Sequence, residues 1–119
     1  MEVNVINQTR SLENPLRVKN CERFFCRLKG LMFTHSIEMN GGLLMVHGSE
    51  SRANAAIHMF FVGMDLGILW LDASGKVVDK QLAKSWAPFY TPASPAKSIL
   101  EIHPGRLAEF EIGDILNFE

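Results

Sequence analysis

Four histidines, two cysteines and a scatter of carboxylates are the side chains with chemistry to offer in this 119-residue chain. His35, His47, His58 and His103 lack the i, i+2 or i, i+4 spacing that gathers imidazoles on one strand or helix face, so no metal site is expected. His58 is the most informative of the four, because it sits in the apolar run from Ala56 to Val62. An unpaired imidazole is costly there, so His58 is either a core histidine donating to a backbone carbonyl or a site residue.

Nucleophilic catalysis finds little support. The sequence has no Gly-x-Ser-x-Gly elbow, and Gly48-Ser49 reads as a turn. Cys26 would need a histidine base and an orienting acid, and a buried helical cysteine is usually inert. Asp65 and Asp72 flank a strand of about 20 Å, too long for joint acid–base work. Gly41, Gly42, Gly63 and Gly67 have neither dinucleotide-binding nor phosphate-loop spacing and read as turns or bulges. No cofactor is expected.

Binding has better candidates. Trp86, Phe89 and Tyr90 lie among Pro88, Pro92 and Pro95, which exclude helix and central strand and leave an extended loop. Aromatics on a rigid loop give low-entropy contact area for an apolar ligand, a sugar or a peptide; equally, they could fold over an open end of the core. Arg23 and Arg27 could hold a phosphate or carboxylate, or pair with the acidic end of the chain. The candidate binding set is His58, Phe60, Asp65, Trp86, Tyr90 and Arg27.

The elements that must position these groups follow from hydrophobic period. Val3 to Ile6 alternates like a strand, Leu43 to Val46 is a compact apolar run between glycines that reads as another, and Ile68 to Leu71, Lys76 to Ala83, Lys97 to Ile102 and Ile115 to Phe118 read as further strands. The run Ala56 to Val62 is apolar in both alternating sets and reads as a strand covered on both faces. Asp72-Ala73-Ser74-Gly75 is a hairpin turn, since Asp initiates turns and Gly supplies positive φ. Phe24, Phe25, Leu28, Leu31 and Met32 share a helical face, with Asn20 as cap and Gly30 as terminator, predicting a helix near 21–30. A second helical turn is expected at 106–111. Cys21 and Cys26, five apart on that first helix, are expected as free thiols packed as small hydrophobes, which suits a reducing compartment.

Seven or so short strands with two short helices and no βαβ alternation predict a mainly β fold, a β-sandwich or squat barrel, in one domain spanning residues 1–119. The net charge of −1 conceals an asymmetry: six basic residues lie between Arg10 and Lys29, while Glu101 to Glu119 is acidic. A near-neutral total argues against a nucleic-acid partner and for the two ends of the chain lying together and pairing. The first residues carry no basic cluster followed by an apolar run, which predicts a cytoplasmic location, and no stretch is apolar enough for a membrane span.

At Arg27-Leu28-Lys29-Gly30-Leu31-Met32-Phe33 the chain resembles the prokaryotic family called domain of unknown function 192. Further matches follow in order at Gly42-Leu43-Leu44-Met45-Val46, His58-Met59-Phe60-Phe61, Ile68-Leu69-Trp70-Leu71-Asp72 and Ala96-Lys97-Ser98-Ile99-Leu100-Glu101, then Gly105 and Gly113-Asp114. The resemblance implies a sandwich-like β fold and carries no assigned activity. This chain departs from the family pattern Met-Arg-Phe-Pro-Leu-Asp with Val62-Gly63-Met64-Asp65-Leu66-Gly67, losing the pattern's Arg and Asp. Many relatives also carry a signal peptide and a cysteine pair in the Pro-rich loop, neither of which is seen here. Two hypotheses result: a non-catalytic β module binding a small molecule, glycan or partner protein, or a small enzyme using His58 with Asp65 or another buried acid.

Overall fold

The structure is a computed structural model that describes residues 1–22, 26 and 30–119. Seven strands form one sheet: β1 (Glu2–Asn7), β2 (Arg17–Cys21), β3 (Gly42–Ser51), β4 (Leu66–Leu71), β5 (Val77–Ala83), β6 (Ala96–Ile102) and β7 (Leu116–Phe118). Their order is β5-β4-β6-β3-β2-β1-β7, antiparallel throughout except for the parallel β2–β3 pair. The mainly β architecture expected from the alternating segments is therefore present, as a sheet curled like a half barrel.

The curl follows from β4. All six of its residues are buried, as an apolar run in a strand covered on both faces requires. Ile68 and Trp70 point into one apolar cluster with Met45 and Ile99. Leu69 and Leu71 point into another with Leu44, Leu100, Phe110 and Leu116. The sheet bends around the second cluster until the β4–β5 turn and the start of β5 touch the segment that enters β7. Val77 donates to the Asp114 carbonyl at 2.8 Å, and Leu116 donates to the Gly75 carbonyl at 2.9 Å. The β4–β5 hairpin turn is as expected, with Asp72 Oδ1 accepting from the Ser74 and Lys76 amides at 2.9 and 3.0 Å.

Three expectations fail on the same ground. Ala56 to Val62 is not a strand: only Ile57 makes a bridge, to Tyr90, and the chain turns at Phe60 and Phe61. Ile57, Met59 and Val62 are buried because they cap the first cluster, not because they join the ladder, while Phe60 and Phe61 face solvent. A strand lies instead at Arg17–Cys21, so Asn20 is part of β2 and caps nothing. The rest of the helix expected near 21–30, with Arg23 and Arg27, lies mostly outside the described residues; Cys26 is helical and Gly30 adopts φ +50°. The free-thiol expectation is overturned, since Cys21 and Cys26 form a disulfide with Cα atoms 5.7 Å apart. With Cys21 at the end of a strand, the helical spacing that argued against bridging does not apply. The second helical turn is a 3₁₀ helix at Pro104–Glu109.

Of the six basic residues between Arg10 and Lys29, Arg10 pairs with the acidic end of the chain, Arg17 pairs with Glu2 at its own end, and Arg23, Arg27 and Lys29 lie outside the described residues. β1 lies beside β7, and Arg10 meets the buried Asp114 at 3.1 Å. Among the described residues no helix is long and apolar enough to cross a membrane.

Candidate functional site

The first cluster is covered by loops rather than by a second sheet, and those loops leave a cavity of about 470 Å³. Its floor is the sheet face made by Met45 on β3, Ile99 and Glu101 on β6 and Leu66 on β4. Met59 and Val62, from the turn that replaces the expected strand, form a wall with Leu31 and Met32. His47, Ser49, Asn54 and His58 bring polar groups to the lining.

The exposed aromatics lie beside the cavity and outside its lining, on the segments that carry Phe33, Phe60 and Phe61, and Trp86 and Phe89. Phe61 packs against Phe33 with ring centres 5.2 Å apart and meets Trp86 edge-on at 5.0 Å. His58 stacks at 5.4 Å on Phe60, which meets Phe89 edge-on at 6.0 Å. Phe33, Phe61 and Trp86 are 66%, 46% and 55% exposed. They are also the non-glycine positions with positive φ among the described residues, at 64°, 61° and 65°. A bulky side chain in this left-handed region costs roughly 1–2 kcal/mol, and such costs concentrate at sites where a side chain is held for contact. Three costs spent on holding aromatics in solvent do not serve the core.

Of the sequence-derived candidates, His58 lines the cavity and its Nδ1 accepts from the Phe60 amide at 3.2 Å, which places any ring proton on Nε2. Tyr90 exchanges two backbone hydrogen bonds of 2.9 Å with Ile57, and its hydroxyl accepts from the Lys84 amide at 2.9 Å. Trp86 is tied to the same turn by its amide, which donates to the Met59 carbonyl at 3.0 Å. Asp65 does not line the cavity. It anchors the aromatic loop, accepting from the Ser85 amide at 2.8 Å and from Lys84 at 3.4 Å. The Ser85 hydrogen bond holds its carboxyl below the usual range; desolvation opposes it, and the hydrogen bond and charge of Lys84 add to the lowering. Arg27 lies outside the described residues.

The residue that sequence reasoning missed is Glu101. It is only 5% exposed, and its strand neighbours are Leu43 on one side and Ile68 on the other. Oε1 finds no hydrogen-bond partner among the described residues. Burial pushes its carboxyl up to about 7. The signal was available: Glu101 stands in phase with Ile99, between Leu100 and Ile102, in a strand apolar on both faces.

Two departures from the family pattern have a geometric basis. A Cβ at Gly63 would come within 2.4 Å of His35 Nδ1 and 3.0 Å of the Thr34 carbonyl, and the Gly63 amide donates to that carbonyl at 2.9 Å. A Cβ at Gly67 would press on Ile102 and Leu107 at 3.2 Å. Both positions let segments pack closer than a longer side chain allows. Among the described residues, no three His, Cys, Asp or Glu side chains gather as a metal-binding group.

A single seven-stranded, mainly β sheet curled like a half barrel defines the class of this molecule. The chain belongs to the DUF192 family, "Uncharacterized ACR", whose sequence profile matches residues 5–118. It is similar to a UPF0127 protein of Thermococcus kodakarensis, 40% identical over 116 residues that cover 96% of this chain and 72% of that protein. A UPF0127 protein of Pyrococcus furiosus is 32% identical over 116 residues, covering 96% and 97% of the two chains. Among solved structures, a proposed transcription regulator from Sinorhizobium meliloti 1021 superposes with a TM-score of 0.85 at 19% identity, covering 98% of this chain and 92% of that one. A protein of unknown function from Novosphingobium aromaticivorans gives 0.82 at 19% identity, covering 98% and 84%. These structures share the fold.

Proposed function

We propose that this protein is a non-catalytic binding module, one domain across residues 1–119, whose ligand is a small molecule held between the sheet and its covering loops. The observation that carries this reading is the cavity of about 470 Å³. Its size falls in the range of small-ligand sites, roughly 300–1,000 Å³, and its walls mix apolar side chains with the polar groups of His47, Ser49, Asn54, His58 and Glu101, which orient a guest. The aromatics packed on the turn that forms its wall supply rigid contact area next to it. His58 lines the cavity, Phe60 packs on His58, Trp86 and Tyr90 bond to the backbone of the same turn, and Asp65 holds the Trp86 loop in place.

Methionine methyl NMR tests this directly, because Met45 and Met59 face the cavity while Met1 and Met39 lie elsewhere. A fragment library is expected to shift the Met45 and Met59 methyl signals together. Trp86→Ala is expected to weaken those hits by about 1–3 kcal/mol if the indole contacts the guest. Shifts confined to Met1 and Met39 would move the site away from this cavity. Hits restricted to oligosaccharides or peptides would replace the small molecule with a glycan or a protein partner.

One observation favours a second reading, a general acid–base enzyme. A cavity carboxyl that titrates near 7 is poised for proton transfer at neutral pH, and it supplies the buried acid that Asp65 does not. On that reading a substrate analogue still binds Glu101→Gln while turnover falls by about 10²–10⁴-fold.

A further inference from the structure

We infer that the ligand of this cavity is a small apolar molecule carrying a protonated amine, seated with its ammonium on Glu101. The inference rests on the binding reading above and names the chemical class of the guest.

Glu101 projects from the middle of the sheet, where Leu43 and Ile68 flank it and Ile99 precedes it on the same face. It is 95% removed from solvent and lines the cavity. Among the described residues nothing donates to Oε1. A buried carboxylate is stable when a cation and hydrogen-bond donors reach it, and both kinds of partner are used elsewhere in this fold. Arg10 and Asn7 together satisfy Asp114. Around Glu101 no Lys or Arg stands among the described lining residues, and none of the polar side chains that share the lining, His47, Ser49, Asn54 and His58, donates to Oε1. Among the described residues, the cavity wall therefore holds a buried acid whose Oε1 has no partner.

A neutral donor such as an alcohol satisfies the oxygen but leaves the charge isolated in apolar surroundings. An ammonium satisfies both, through charge-assisted hydrogen bonds about twice as strong as neutral ones. The rest of the site suits the hydrocarbon portion of such a guest. Met45, Met59, Val62 and Leu66 offer apolar and polarisable surface, and flexible thioethers adapt to varied shapes. A carboxylate or phosphate ligand is disfavoured, because it would place like charges together in a low-dielectric pocket.

Three probes of one skeleton separate these cases: benzylamine, benzyl alcohol and benzoate, titrated at millimolar concentration into the folded protein while the Met45 and Met59 methyl signals are followed. Benzylamine is expected to bind at least about ten-fold more tightly than benzyl alcohol, and benzoate not at all. Glu101→Gln, with Glu101→Met as a second variant of similar volume, is expected to abolish the preference and keep alcohol binding. Equal affinities for amine and alcohol overturn the ligand class and leave the cavity as a binding site. A preference that survives both substitutions likewise overturns it. Silence from all three probes at both methionines overturns the binding reading and this inference with it.

Discussion

Asp114 and Glu101 are both buried carboxyls on the same curled sheet, yet their surroundings are opposite. Asp114 accepts from the Glu111 amide at 3.0 Å, from Asn7 at 2.9 Å and from Arg10 at 3.1 Å. Desolvation pushes its carboxyl up, but those hydrogen bonds and the Arg10 charge outweigh it, and its pKa falls below the ordinary value. Glu101 has desolvation alone and moves the other way. Arg106 repeats the Asp114 arrangement with reversed charge. It is 2% exposed, and its guanidinium donates to the carbonyls of Asn14, Pro15 and Met39, to Asn40 Oδ1 and to Glu109. The fold can thus satisfy a buried charge completely where the charge ties distant segments together. The unsatisfied acid stands where the sheet is roofed by loops, beside an open cavity.

The largest expected effect lies on the satisfied side. Arg106→Met removes every donor from a set of buried acceptors at once, and urea denaturation is expected to show a loss of about 3–5 kcal/mol. A loss below about 1 kcal/mol would mean that these carbonyls find water when the guanidinium is gone, and the contrast with Glu101 would weaken.

Next in size is the pH dependence of Glu101. Its ordinary value is 4.5 and its folded value about 7, so between these the folded state holds a proton that the unfolded state has released. Stability from this group therefore declines as pH rises from about 4.5 to about 7, by about 3 kcal/mol in total. Glu101→Gln carries no such charge and is expected to be the more stable protein at pH 8, with the difference vanishing near pH 4.5. Asp114 acts in the opposite sense and at lower pH: its contribution is present above the ordinary carboxylate value and is lost as pH falls through its lowered one. Thermal melts of both proteins from pH 4 to 8 measure this, and parallel curves would show that Glu101 is solvated in the folded state.

The smallest effect separates holding the fold from presenting a surface. Trp86→Gly relieves a left-handed φ of 65° and loses an edge contact with Phe61. These terms oppose each other, and the melting behaviour is expected to change by less than about 1 kcal/mol. A larger loss would make Trp86 part of the core's covering, as the alternative reading of the aromatic loop had it.

Local chemistry made part of this molecule legible from sequence. The Asp72–Gly75 turn, the β4 and β5 segments beside it and the approach of the chain's ends were all readable, because turn residues, alternation and charge act over short distances or sum over long ones. Ala56 to Val62 misled because burial under a sheet and burial within it select the same residue types. Phe61, held at φ 61°, breaks the extended path, and its residue type gives no warning of that. Arg17–Cys21 was missed because Lys19 and Asn20 are adjacent polar residues in a strand with only Val18 and Cys21 fully buried. The cysteine pair was misjudged through the same boundary, since a helix begun at Asn20 spaces the thiols differently. Glu101 was read as part of a strand but not weighed as a buried acid, because its burial depends on Leu43 and Ile68 from two other strands.

The position of β1 has a consequence in time. It pairs on one side with β2, its neighbour in sequence, and on the other with β7, where Asn7 and Asp114 meet across 107 positions of chain. A chain that must close so long a loop before its sheet is complete folds slowly, on the millisecond-to-second scale of β topologies rich in distant pairings. Until β7 docks, the outer edge of β1 offers unpaired backbone groups to any other extended chain. The late arrival of a three-residue strand, Leu116–Phe118, therefore ends the interval in which a folding molecule can pair with its neighbours.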